Sequence, residues 1–381
     1  MRIQDTTQAL GNHSDFESRA LFALATEQNR LKLQFTDVDA GQAGRLQHAI
    51  HQLDGTSQVL DRTVTGLLTL EAAKRLNQEW PKLFHDQVAA QGQLRQILKQ
   101  YDIIWQAGDH RFNLTEKAMI YAVMNITPDS FYDGGRYQSM DAVLKHVEQM
   151  LADGADIIEV NGQTTRPGFK EVTPEVEIER TIPYMKAIRQ AFPKVVFAID
   201  TYKLPVMKAA IDEGVSIIND VNAFTDNPDK LALLAQNNVG LLTMHSSRGH
   251  EYDDLTTGMH QFFEQNLADI TSAGIDIERI ALDQGIGYSK VPDGAQDYVM
   301  MRNLDQFNDF RRPIMTAISR KGYLGLLLGL KKDERLPMTL VTEAEMYLKG
   351  GRILRVHDVK ETKQLVTLLD EIRNGYWLPT E

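Results

Sequence analysis

The chain has 381 residues, 43% hydrophobic and 24% charged, and no cysteine. One large domain or two is expected, and disulfide frameworks, thiolate zinc sites and cysteine nucleophiles are excluded. No run approaches the ~18 apolar residues of a membrane span, and the opening MRIQDTTQALGNHSDF lacks the charged head and apolar core of a signal peptide, so a cytoplasmic protein with no membrane partner is expected. The net charge of −11 argues against nucleic acid as a partner. That charge is uneven: residues 1–115 hold 12 basic and 13 acidic side chains, the remainder 29 and 39.

The first hundred residues read as a small α/β unit. Arg30–Phe35 alternates like a strand, Gly41–Leu53 has helical spacing, and Gln58–Val64 is a candidate second strand. Helices are predicted over Thr69–Glu79 and Phe84–Tyr101. The segment contains no phosphate loop, metal spacing or acid–base pair, and His48 and His51 read as surface side chains. Ile103–Trp105 and Arg111–Leu114 flank Ala107-Gly108-Asp109, a hairpin signal.

From there short apolar strands alternate with amphipathic helices. The strands are Met119–Met124, Ile157–Val160, Val195–Ile199, Ser216–Ile218, Gly240–Thr243, Arg279–Leu282, Ile314–Ile318 and Ile353–Val356. The helices are Met140–Ala152, Pro174–Ala191, Leu204–Glu213, Pro228–Gln236, Gly258–Ala273, Gln296–Phe310, Pro337–Lys349 and Val359–Arg373. Strands apolar on both faces belong to a covered parallel sheet, and eight βα units of even spacing match a (β/α)8 TIM barrel of ~250 residues. The expected architecture is α/β, with a small α+β domain over 1–102 and the barrel, led by its hairpin, over 103–381.

Barrel enzymes carry their chemistry at the C-terminal ends of the strands, and every strand here stops in polar groups. The endings are Asn125, Thr165-Arg166, Asp200-Thr-Tyr-Lys203, Asn219-Asp220, Met244-His245, Asp283, Ser319-Arg-Lys321 and Arg355-Val-His357. Arg166, Arg355, His357 and Lys321 form a cationic set suited to a phosphate or diphosphate. Asp200, Asn219 and Asp283 suit a planar heterocycle with several N–H donors. No glutamate or histidine is evident as a base, which points to binding and leaving-group stabilisation. Asn125 beside a diphosphate is a candidate Mg2+ ligand. His245, His250 and His260 match no zinc spacing.

The string Asn125-Ile-Thr-Pro-Asp-Ser-Phe, then Asp133-Gly-Gly-Arg-Tyr, resembles the opening signature of the dihydropteroate synthases. Thr165-Arg-Pro-Gly, Asp200-Thr-Tyr-Lys, Ile217-Ile-Asn-Asp, Leu282-Asp-Gln-Gly-Ile-Gly, Ser319-Arg-Lys and Arg355-Val-His-Asp-Val-Lys follow in the family's order, from about residue 117 to 373. The resemblance implies a transferase of folate biosynthesis that joins 6-hydroxymethyl-7,8-dihydropterin diphosphate to 4-aminobenzoate. It implies a pterin held by Asp200, Asn219, Met244, Asp283 and Lys321, and a diphosphate held by Asn125, Arg166, Arg355 and His357 with Mg2+ on Asn125. It further implies an aminobenzoate near Thr165, Arg166, Pro167, Tyr288 and Gly322, with Lys321, Arg355, His357 and Arg166 as the catalytic groups, in a homodimer.

The chain departs from the family pattern in places. Asn161 and Gln163 stand where Gly and Glu are common, Gln284 replaces a proline, Ser289 a glycine, and Gly322 a residue such as Ser. Two other readings stay open: a barrel of the methyltetrahydrofolate methyltransferase type, against which Arg355, His357 and the Thr165-Arg-Pro loop argue, and a non-catalytic pterin-binding homologue. The N-terminal segment reads as an oligomerisation or partner-docking module.

Overall fold

The period-two alternation of Arg30–Thr36, with every second side chain buried, sets the face of an antiparallel sheet. In the computed structural model, which describes residues 1–126, 140–163, 171–247, 252–288 and 294–377, the chain forms two compact units. One comprises Met1–Asp102 with Asp305–Arg311 and Leu369–Glu381; the other comprises Ile103–Leu304 and Arg312–Leu368.

The first unit runs β1 (Arg2–Asp5), α1 (Thr7–Gly11), α2 (Phe16–Glu27), β2 (Arg30–Thr36), α3 (Ala40–Gln52), β3 (Thr56–Leu60), β4 (Thr63–Thr69), α4 (Leu70–Leu83) and α5 (Val88–Lys99). Its sheet has the order β1-β2-β4-β3, with antiparallel pairs throughout. Leu31, Leu33, Phe35, Val64 and Leu68 pack on Leu46, Ile50, Leu76, Trp80 and Leu94 of the helices. The expected single strand Gln58–Val64 is instead a hairpin. Its turn falls at Asp61, which adopts φ +52°, a left-handed conformation that Asp tolerates. Because β3 is an exposed edge strand, its side chains carry little alternation to mark the break. The expected helix from Phe84 begins only at Val88: Phe84 ends α4, donating its N–H to Trp80 O and resting its ring 4.8 Å from that of Trp80.

The second unit opens with a hairpin, β5 (Ile104–Ala107) and β6 (His110–Asn113). The alternation follows as β7 (Met119–Asn125), α6 (Met140–Ala152), β8 (Ile157–Asn161), α7 (Pro174–Ala191), β9 (Val196–Asp200), α8 (Leu204–Asp212), β10 (Ile217–Asp220), α9 (Pro228–Ala235), β11 (Gly240–Met244) and α10 (Leu255–Ser272). It continues through β12 (Ile280–Asp283), α11 (Ala295–Arg302), β13 (Ile314–Thr316), α12 (Tyr323–Leu328), α13 (Leu336–Leu348), β14 (Gly351–Val356) and α14 (Val359–Arg373). Strands β7–β14 are parallel and close into a barrel as expected. The predicted helix Gln296–Phe310 divides, with α11 ending at Arg302 and a 3-10 helix over Leu304–Phe310. Asn303 marks the break, its Nδ2 donating to Thr256 Oγ1 at 2.8 Å.

Alternation then decides what faces the barrel interior. The core at the base contains Met119, Tyr121, Ile157, Val196, Ala198, Ile217, Leu242, Ala281, Met315 and Ile353, with Trp105 of the hairpin among them. Two-residue steps along each strand from these positions reach Asn125, Glu159 and Asn161, Asp200, Asn219, Met244, Asp283 and Arg355. Thus one register fills the bottom with apolar groups and the top with polar ones.

Candidate active site

Strand pairing brings the endings side by side: Asn125 is opposite Asn161, Asn219 opposite Asp200, and Met244 opposite Asp283. Asp200, Asn219, Met244 and Asp283 are buried, whereas Asn125, Tyr288, Lys321, Arg355 and His357 are half-buried and Gly322 is exposed. Thr165, Arg166 and Pro167 lie outside the described residues.

Arg355 is the electrostatic centre. Its Nε donates to Glu159 Oε1 and Oε2 at 3.0 and 3.2 Å, and its Nη2 donates to Glu159 Oε1 and, at 2.9 Å, to Asp200 Oδ2. Burial opposes the charge on Arg355, but Glu159 and Asp200 outweigh it and hold the guanidinium firmly protonated. Asp200 is pushed up to about 7, chiefly by burial, with Arg355 opposing the shift and Glu159 adding to it. The sequence reading missed Glu159 and saw no placed glutamate. Glu159 is fully buried and bound to Arg355, which makes it a counter-ion and not a base. A single acid inside the apolar run Ile157-Ile-Glu-Val160 is the signal that marked it, since a buried charge needs a partner.

Two acceptors close by have no partner among the described residues: Asp200 Oδ1 and Asn219 Oδ1, both buried. Asp283 accepts Gly285 N–H at 2.8 Å, and burial raises its pKa against the pull of Lys321. Gly285 adopts φ +77°, and a Cβ there would lie 2.0 Å from His245 O, so only glycine permits this turn.

Lys321 Nζ donates to Ile286 O and stands 5.6 Å from the centroid of the Tyr288 ring. Loss of water lowers its pKa to about 8, with Asp283 resisting. The segment bearing Lys321 is fixed by Arg320, a further residue the sequence reading left unassigned. Arg320 adopts φ +52°, a conformation costing about 1–3 kcal/mol. It grips Asp358 through two bonds of 2.7 and 2.8 Å and donates to Lys332 O and Asp333 O. Arg335 donates to the carbonyls of Arg320 and Lys321. His357 Nδ1 lies 3.0 Å from Ser319 Oγ, which also accepts His357 N–H. Gly322 precedes α12 directly.

Gln163, just past β8, is bonded to Val172 and Lys203. Its Oε1 accepts from Val172 N and from Lys203 Nζ, both at 2.8 Å, and Lys203 also pairs with Glu177 at 2.9 Å. The amide therefore receives what a carboxylate there would receive. His245 Nε2 bonds Tyr252 OH at 2.7 Å. Among the described residues no group of three His, Cys, Asp or Glu side chains is placed to hold a metal.

A family model described as "Pterin binding enzyme" matches residues 121–357. The dihydropteroate synthase of Clostridium beijerinckii is 37% identical over 266 residues, covering 70% of this chain and 98% of that one. Among solved structures, the dihydropteroate synthase of Yersinia pestis, in complex with a sulfonamide drug, has a TM-score of 0.66 at 30% identity, covering 71% of this chain and 99% of that one. The enzyme of Xanthomonas albilineans, solved with 4-aminobenzoic acid, has a TM-score of 0.66 at 28% identity, covering 73% and 100%. The chain belongs to the dihydropteroate synthase family, transferases of the pterin-binding class that serve folate biosynthesis.

Proposed function

We propose that the barrel condenses 6-hydroxymethyl-7,8-dihydropterin diphosphate with 4-aminobenzoate, forming 7,8-dihydropteroate and diphosphate. The observation that carries this reading is the pair of buried acceptors, Asp200 Oδ1 and Asn219 Oδ1, with no partner among the described residues. An unmet buried acceptor costs about 1–3 kcal/mol, and a pterin edge supplies the N–H donors that relieve it. Asp283 and Lys321 complete the pterin set, with Met244 packing beside it. Asn125, Arg355 and His357 take the diphosphate, joined by Arg166. Tyr288, Gly322, Thr165, Arg166 and Pro167 surround the aminobenzoate.

The C–O bond to the pterin methylene breaks with its electron pair leaving on the diphosphate, which the cationic groups stabilise. The aniline nitrogen captures the pterin-methyl cation and then releases a proton. Asp200 and Asp283 stabilise that cation electrostatically. Mg2+, when bound, neutralises charge on the departing diphosphate. Asn125 would hold it as a hard oxygen donor.

The protein acts as a homodimer in the cytoplasm on this reading. The exposed Leu326, Leu327 and Leu328 of α12 and Val341 and Leu348 of α13 supply apolar surface for a second copy. Exposed Phe16 and Leu24 on α2 support a docking role for the N-terminal unit. The test is an assay with Mg2+ and both substrates that measures diphosphate release and dihydropteroate. Pterin binding without turnover overturns the enzymatic reading in favour of a binding homologue. Methyl transfer from methyltetrahydrofolate favours the methyltransferase class.

A further inference from the structure

Asn161 stands where the family commonly carries glycine, so its side chain adds atoms that the common pattern lacks. That side chain is buried and fully engaged. Its Oδ1 accepts the backbone N–H of Asp200 at 3.1 Å, and its Nδ2 donates to Glu159 Oε1 at 2.6 Å and to Asn125 Oδ1 at 3.4 Å. Glu159, two residues earlier on the same inward face, holds the Nε and Nη2 edge of Arg355. Asn125 and Arg355 stand on the diphosphate side of the proposed site, and Asp200 stands on the pterin side. Resting on that functional reading, we propose that Asn161 and Glu159 are positioning residues, a buried bridge that links the pterin and diphosphate subsites of this chain.

The chemistry of the donors gives the bridge its direction. The Asn161 amide nitrogen only donates, so it keeps the oxygen of Asn125 turned toward it and leaves the second lone pair of that oxygen for a ligand. Glu159 takes one edge of the Arg355 guanidinium, and Nη1 carries no hydrogen bond among the described residues, which leaves it for an anion. Asp200 is reached from both sides, through its own N–H by Asn161 and through Oδ2 by Arg355. Removing the bridge therefore loosens three ligand-facing groups without deleting any of them.

The experiment uses full-length Asn161→Gly, Glu159→Gln and Glu159→Asp beside the unaltered protein. Steady-state kinetics are measured with each substrate varied, together with binding of inorganic diphosphate in the presence and absence of 6-hydroxymethylpterin. Supporting partners of this kind typically contribute 10- to 100-fold. We expect Asn161→Gly to raise KM for the pterin diphosphate about tenfold with KM for aminobenzoate unchanged. Glu159→Gln should lower kcat about 10- to 100-fold, and Glu159→Asp, which keeps the charge, should recover part of it. The effect of pterin on diphosphate affinity should disappear in Asn161→Gly. Melting curves accompany each variant. Kinetics like the unaltered protein's, equal rises in both KM values, or losses that merely follow a lowered Tm overturn the bridge. Absence of turnover in the unaltered protein overturns the functional reading instead.

Discussion

Two sets of buried polar groups, one at each end of the barrel, are in opposite states. At the bottom, Arg279 donates to Val239 O, Leu234 O and Asn237 O, and Arg312 donates to Ile277 O and Ile104 O. Trp105, fully buried, spends its indole N–H on Arg279 O at 3.0 Å. At the top, Asp200 Oδ1 and Asn219 Oδ1 are also buried and unmet among the described residues. Burial is shared by these two sets; satisfaction is not. Polar groups that close their own bonds hold the fold together, whereas those left open store free energy that a complementary ligand releases.

The sharpest way to break this comparison is to remove, at the top, a lightly bonded group and a fully paired one. Lys321→Ala should lower kcat/KM about a thousandfold, in line with the loss of one charge-stabilising donor. It should leave Tm nearly unchanged, because the side chain is half-buried and makes one hydrogen bond. Arg355→Ala should do both kinds of damage. It leaves Glu159 and Asp200 buried without their cation, at a cost of about 3–5 kcal/mol, so its thermal melt should fall along with turnover. Equal Tm values for the two variants would break the comparison.

Trp105→Ala is the mirror test at the bottom. It should cost about 3–5 kcal/mol in a urea titration, yet keep wild-type kcat at temperatures where the variant stays folded. A loss of kcat there would mean that the base of the barrel serves the chemistry as well.

A pH profile sharpens the top end further. Accepting pterin N–H groups requires the Asp200 carboxylate, and with its pKa raised to about 7 the charged form is lost as pH falls below that value. Lys321, lowered to about 8, loses its ammonium as pH rises past it. A narrow bell for kcat/KM between about pH 7 and 8 is the expected result. Lys321→Arg should remove the alkaline limb. The smallest effect belongs to Gly322→Ser: a Cβ there meets no atom within 4 Å, so the protein should fold unchanged. The added hydroxyl should lower KM for aminobenzoate by about threefold, within the ~1 kcal/mol of one hydrogen bond.

Much of this was legible in the sequence for physical reasons. Strands Ile157–Asn161 and Val196–Asp200 are short apolar runs ended by polar residues, and such runs keep their identity in any parallel barrel. The short helix α12 was missed, because six residues of Tyr-Leu-Gly-Leu-Leu-Leu show no periodicity. Glu159 stands out as an acid in an apolar run, yet the sequence does not say what it pairs with, and Asn161 was read only as a departure from glycine. Neither meaning is local: Glu159 acts on Arg355, 196 residues away along the chain.

What the sequence determined by itself was the set of endings: which residue types stand at each strand's end, and hence the barrel and its family. Periodicity and motif order are properties of neighbours along the chain. What only the tertiary structure decided was which of those groups are already spoken for. Arg320 closes on Asp358, Lys203 on Glu177 and Arg355 on Glu159, while Asp200 Oδ1 and Asn219 Oδ1 remain open among the described residues. Charge and donor count are written in each residue, but pairing depends on distances that closure of the barrel alone sets.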